Sequence, residues 1–205
     1  MLDRVLKNAL EGLTVIEEDI GSLNVPLAKQ LAGYAAAQGK KVVTYSLIGE
    51  DPVGTAEVAS ARIMEGSHRE AISNTDVSVL RWIRILSYLD RLDYDLMVID
   101  SFSQIAFGAS EREVGELITQ LHMASIRGKS FIVPYEVKTV GERVAAYIRS
   151  VADSVIIVRA DIAQGAVSRT LYVPKLKGAK PMEKLVKVTV DEERGIQDDT
   201  RDFVG

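Results

Sequence analysis

The sequence predicts an α/β fold, with a sheet parallel in its core and antiparallel at one edge. Three observations predict it. Apolar, β-branched runs alternate with segments of helical periodicity along most of the chain. One run, Leu96-Met97-Val98-Ile99, is apolar without alternation, as a strand buried on both faces must be. Toward the C-terminus the alternation stops. Residues 168–176 and 184–190 both read as strands, with no helix between them, so they form an antiparallel pair.

The elements follow in order. Residues 2–10 have the pattern of a short amphipathic helix, and Thr14-Val15-Ile16 is a short apolar run entering a turn. Residues 26–38 are helical, with Leu27, Leu31, Tyr34 and Ala35 on one face and Gly39 placed to end the helix. Their many alanines would let this helix lie close to a sheet. A β-branched strand is expected at 41–47, and helices at 55–65 and 77–92. The strand at 96–99 ends in Asp100. Ser110-Glu111-Arg112-Glu113 has capping-box spacing and opens a helix that runs to residue 127. A strand at 130–134, a helix at 141–151 and a strand at 154–158 complete the alternating part. No repeat or linker splits the chain. We expect one domain over 1–205: a core at about 12–160, a closing hairpin at about 168–190 and an acidic tail at 191–205.

Composition removes several chemistries. The 205 residues are 47% hydrophobic and 26% charged, as in an ordinary soluble globule. Cysteine is absent, which excludes disulfides, a thiol nucleophile and a thiolate-held metal. The two histidines, His68 and His122, are far apart, so no metal centre is expected. His122 reads as structural and His68 as exposed. Trp82 and Tyr88 read as core or interface residues of the helix at 77–92. No signal-peptide pattern and no apolar run of membrane-spanning length occurs, so a cytoplasmic location is expected. The net charge is −4 but unevenly spread. Arg169, Lys175, Lys177, Lys180, Lys184 and Lys187 face a single acid, Glu183, and an acidic end follows from Asp191. Hydrolase, zinc-protease and dinucleotide motifs are missing from the sequence.

Four stretches, in this order and spacing, carry a resemblance. They are LTVIEEDIGSLNVPLAKQLAGYAAAQGKKVVTYSL, YDLMVIDS, VADSVIIV, and SRTLYVPKLKG followed by KVTV and RGI. Together they resemble the RecA-like P-loop ATPase core, in particular the KaiC-like branch found in many archaea. The resemblance implies a three-layer sandwich. It also implies a phosphate loop after the first strand, a magnesium-binding aspartate after YDLMVI, and activating glutamates after the second strand. A K-x-[KR]-G turn would reach a neighbouring subunit's nucleotide.

The phosphate loop is where the chain departs. The motif G-x-x-x-x-G-K-[ST] supplies backbone amides and a lysine to phosphate and a hydroxyl to magnesium. In register this chain reads Glu18-Asp19-Ile20-Gly21-Ser22-Leu23-Asn24-Val25. Glu18 and Leu23 replace the two glycines, Asn24 the lysine, and Val25 the hydroxyl. Glu17, Glu18 and Asp19 are expected to crowd the loop with carboxylates. One such contact costs a phosphate about 4 kcal/mol at 4 Å and an effective dielectric of about 20. Asp100 falls at the magnesium-binding position, and Glu50, in Ile48-Gly49-Glu50-Asp51, near the activating glutamates. Lys175 and Lys177 match the hairpin cations. With no nucleotide to meet, two readings of them stand: contact with a neighbour's Glu17-Glu18-Asp19 loop, or a solvated edge strand whose lysines discourage aggregation.

These departures point to a non-catalytic protein that binds no ATP and no metal and acts through a protein partner or self-association. One alternative is an ATPase with a remodelled site, using Asp100 and Glu50. Another is a nucleic-acid binder using the basic segment at 169–187, which the net charge and few aromatics oppose.

Overall fold

The computed structural model describes residues 6, 9–19, 23–45, 93–100, 102–163, 166–191 and 195–198. The helices expected at 55–65 and 77–92 lie outside the described residues, as do Ile20, Gly21, Ser22, Glu50, His68, Trp82 and Tyr88 and most of the segment 2–10.

The strands are β1 (Leu13–Glu18), β2 (Val42–Tyr45), β3 (Leu96–Ile99), β4 (Ser130–Glu136), β5 (Ser154–Ala163), β6 (Ala166–Lys175), β7 (Val186–Asp191) and β8 (Gly195–Asp198). The helices are α1 (Asn24–Ala37), α2 (Phe102–Phe107), α3 (Glu111–Ile126), α4 (Val137–Val140) and α5 (Glu142–Val151). Among the described residues, eight strands join one sheet in the order β2-β3-β4-β1-β5-β6-β7-β8. Strands β2, β3, β4, β1 and β5 run parallel, and β5 to β8 pair antiparallel. The predicted parallel core with an antiparallel edge is therefore what forms.

Two apolar cores lie on the two faces of the sheet, completing three layers. Leu13, Val15, Met97, Phe131 and Val133 face α2, α3 and α5. Ile16, Leu96, Val98, Ile132 and Ile156 face α1, whose Leu27, Ala28, Leu31 and Ala35 are buried. Leu171, Val173, Val188 and Ile196 belong to this second core. The antiparallel strands thus curl over the α1 face. The chain read as an acidic tail from 191 contains β8, and Ile196 is 1% exposed. A four-residue strand flanked by acids is too short to show a period.

Two prolines sit in strands where their missing donors do least harm. In β4, Ser130 N–H donates toward Asp95 on the β3 side and Phe131 N–H toward Gly12 on the β1 side. By alternation Pro134 would donate toward β3, but pairing with β3 ends at Ile132. In β6, Pro174 lies where the register with β5 shifts between Val155 and Ile157, a bulge that leaves one residue unpaired. At the end of α1, Gly39 has φ +79°, a left-handed C-terminal position that suits glycine.

The capping box forms as read. Glu113 N–H donates to Ser110 Oγ at 3.3 Å, and Ser110 N–H donates to Glu113 Oε2 at 2.8 Å. Accepting the Ser110 backbone and hydroxyl donors holds the Glu113 carboxyl below the usual carboxylate range. Ser110→Ala is expected to destabilise the protein by about 1 kcal/mol in urea titrations at neutral pH. A carboxyl lowered by folding stabilises the fold above its unfolded pKa and loses that contribution as pH falls through the folded one. The penalty of Ser110→Ala is therefore expected to shrink in acid.

Candidate functional site

The chain leaves β1 toward β2 at one edge of the sheet, and later passes from β4 over β1 to β5. The carboxyl ends of β1, β4 and β5 therefore flank a topological switch point, where open α/β sheets bind ligands. Register places Glu17 beside Tyr135 and Ile157, and Glu18 beside Glu136 and Val158.

The sequence suggests three carboxylates around one loop. The structure corrects this. β1 continues through Glu18, so successive side chains take opposite faces. Glu18 follows Ile16 toward α1, and Glu17 follows Val15 toward α5. Both are fully buried.

Glu18 caps α1. Its carboxylate accepts the Leu23 N–H at 3.1 and 3.2 Å and the Asn24 N–H at 3.0 Å. The N-cap residue Leu23 offers no side-chain acceptor of its own. The Val25 N–H donates to Asn24 Oδ1 at 2.7 Å, and Pro26 has no N–H. Every backbone donor from Leu23 to Pro26 is thus accounted for inside the chain. A carboxylate on a helix N-terminus is favoured by both the donors and the dipole.

Glu17 anchors an ion cluster. Tyr135 Oη donates to Glu17 Oε2 at 2.8 Å. Arg149 approaches Glu17 Oε1 at 3.2 Å and Arg159 at 3.4 Å. Arg149 also meets Glu142 at 3.4 Å, and Arg159 also pairs with Asp19. Burial, reinforced by the Glu17 charge, pushes the Tyr135 phenol far above its usual range, so it stays a donor. Sequence reasoning missed Tyr135, Arg149 and Arg159. The available signal was that apolar strands at 14–16 and 154–158 each end in a charge, and the two charges are of opposite sign.

Asp100 directly follows β3, and its N–H donates to the Tyr45 carbonyl at 3.2 Å. Burial, then the Asp100 charge, raises the Tyr45 phenol well above its usual range. The structure thus brings Glu18, Asn24 and Val25 together at the start of α1, while Asp100 stands at the end of β3. The described residues contain no group of three or more His, Asp or Glu able to hold a metal ion.

Lys175 and Lys177 sit at the other end of the sheet, where Val155 opposes Lys175. Lys175 Nζ donates to the Ser150 carbonyl at 3.0 Å, closing the C-terminal turn of α5. Lys177 Nζ lies 3.8 Å from Asp153, whose carboxylate also accepts the Leu13 N–H and the Ser125 hydroxyl. His122 Nδ1 lies 3.9 Å from the same oxygen. Both lysines therefore have partners within the chain. Of the acids expected to meet them across an interface, Glu17 and Glu18 are buried and engaged, and only Asp19 is partly exposed.

The layers, the strand order and the switch-point site define a RecA-like α/β fold. Among solved structures, the chain is similar to flagellar accessory protein FlaH from Methanocaldococcus jannaschii, at TM-score 0.69 and 17% identity over 96% of this chain and 94% of that one. It is also similar to the KaiC-like protein PH0186 from the hyperthermophilic archaeon Pyrococcus horikoshii OT3, at TM-score 0.63 and 17% identity, covering 91% and 88%. No protein-family model matches the chain, and no curated protein matches it in sequence. At this identity the likeness establishes the fold. No helix among the described residues is long and apolar enough to cross a membrane.

Proposed function

We propose that this chain is a non-catalytic RecA-fold protein that acts by binding, as a regulatory or scaffolding subunit. The observation that carries this reading is Glu18. A phosphate loop offers empty amides to an incoming anion. Here the chain's own buried carboxylate takes the amides of Leu23 and Asn24. Asn24 stands where a lysine would reach phosphate and Val25 where a hydroxyl would hold magnesium. We read positions 18–25 as a degenerate phosphate loop that keeps its strand-to-helix junction and has lost its ligand.

Such a protein has no ATP requirement and works in the cytoplasm through a protein partner or self-association. One neighbour in structure is described as a flagellar accessory protein. The test is a thermal-shift titration of the wild type with Mg-ATP and with ADP. A nucleotide at 100 times its Kd adds about 2.7 kcal/mol, or roughly 5–11 °C for a domain of this size. We expect no change at millimolar nucleotide. A rise of several degrees would sink the proposal.

A further inference from the structure

The outer edge of β8 is closed by a side chain from α1. Val190 lies opposite Ile196, between the pairs Asp191–Gly195 and Thr189–Gln197. Antiparallel pairs alternate between hydrogen-bonded and non-hydrogen-bonded. The Ile196 N–H donates to Gln30 Oε1 at 2.8 Å, and the Ile196 carbonyl accepts from Gln30 Nε2 at 3.1 Å. Both backbone groups therefore point away from β7, outward in the plane of the sheet. One carboxamide meets both, taking the place of the acceptor and the donor that one residue of an added antiparallel strand would supply. The same Nε2 reaches the Tyr34 hydroxyl at 3.0 Å, which fixes the amide from behind.

Gly195 is fitted to this contact. It has φ +74°, and a Cβ there would stand 2.9 Å from Gln30 Oε1. Two acids, Asp191 and Asp198, stand on β7 and β8. Like charges oppose the pairing of two such edges. Edge strands are natural templates for further pairing, and proteins guard them with charge and cover.

We propose that Gln30 is a built-in strand cap, which occupies the hydrogen-bonding edge of β8 and keeps a second copy of the chain from adding to the sheet there. The test compares the wild type with Gln30→Met, which keeps the length of the side chain and removes both bonds, and with Gln30→Ala. Amide hydrogen exchange and sedimentation velocity are measured on the full chain. Exchange at Ile196 is expected to speed up roughly tenfold, the scale of about one net hydrogen bond. Amides of β4 and β5 are expected to keep their rates, and both variants to associate with concentration more strongly than the wild type. Unchanged protection at Ile196 overturns the proposal. So does faster exchange with no added association, because the edge then needs no cap. Loss of protection throughout β4 and β5 in both variants overturns it too, because Gln30 would then hold the fold rather than the edge.

Discussion

Glu18→Ala is expected to cost about 3–5 kcal/mol, and inorganic phosphate is expected to return part of that loss. The cost follows from what the substitution leaves behind. The Leu23 and Asn24 N–H groups lose a charged acceptor, and hydrogen bonds to charged groups are worth about 1.5–3 kcal/mol each. For a chain of 205 residues this lowers Tm by roughly 6–20 °C. Glu18→Gln keeps one acceptor oxygen but turns an amide donor toward the helix donors, so an intermediate loss is expected. The rescue is the sharper half of the prediction. Once the carboxylate is gone, the same amides and the helix dipole face a vacant anion position. Phosphate at ten times its Kd would return about 1.4 kcal/mol. The wild type, with its own anion in place, should not respond. An alanine variant as stable as the wild type would show that Glu18 holds nothing. Equal phosphate responses in the two proteins would show that its carboxylate is no substitute for the ion.

Much of the fold was legible because local signals agreed with the tertiary outcome. Gly39 ends α1 and Ser110 opens α3 through contacts within a few residues of each. Leu96 to Ile99 is buried on both faces, as its unbroken apolarity requires. The site was legible only as identities. Thr14-Val15-Ile16 reads as a short apolar run entering a turn, and the two glutamates that follow are of a kind rarely buried without partners. The partners exist but lie far away in sequence: Tyr135 at 118 residues, Arg149 at 132 and Arg159 at 142 from Glu17. No local window contains them. Extending β1 by two residues then sends the two acids to opposite faces. One side becomes a capped helix and the other an ion cluster. The lysines of the closing turn show the converse limit. Their match to a functional motif was visible, while the Ser150 carbonyl and Asp153, which occupy them here, were not.

The Glu17 cluster should respond to mutation in a strongly non-additive way. Arg149→Met alone leaves Glu17 paired with Arg159 and Tyr135, and Arg159→Met alone leaves it paired with Arg149 and Tyr135. Each single change is expected to cost about 1–2 kcal/mol, because the guanidiniums are partly solvated and one always remains. The double variant leaves a carboxylate with no solvent access and only a phenol as partner. Stranding a buried charge costs about 3–5 kcal/mol. The double loss should therefore exceed the sum of the single losses, with a coupling energy of about 1–3 kcal/mol. Adding Glu17→Gln to the double variant removes the stranded charge and keeps an acceptor for Tyr135. It should recover a large part of the loss, even though it deletes one more native group. Urea unfolding of the four variants and the wild type measures every term. Additive single losses, or a triple variant less stable than the double, would mean that Glu17 is not held by these two arginines. Recovery in the triple variant would instead show that the arginines are needed because Glu17 is charged. The acid at the end of β1 would then carry a structural cost of its own, met by residues more than a hundred positions away.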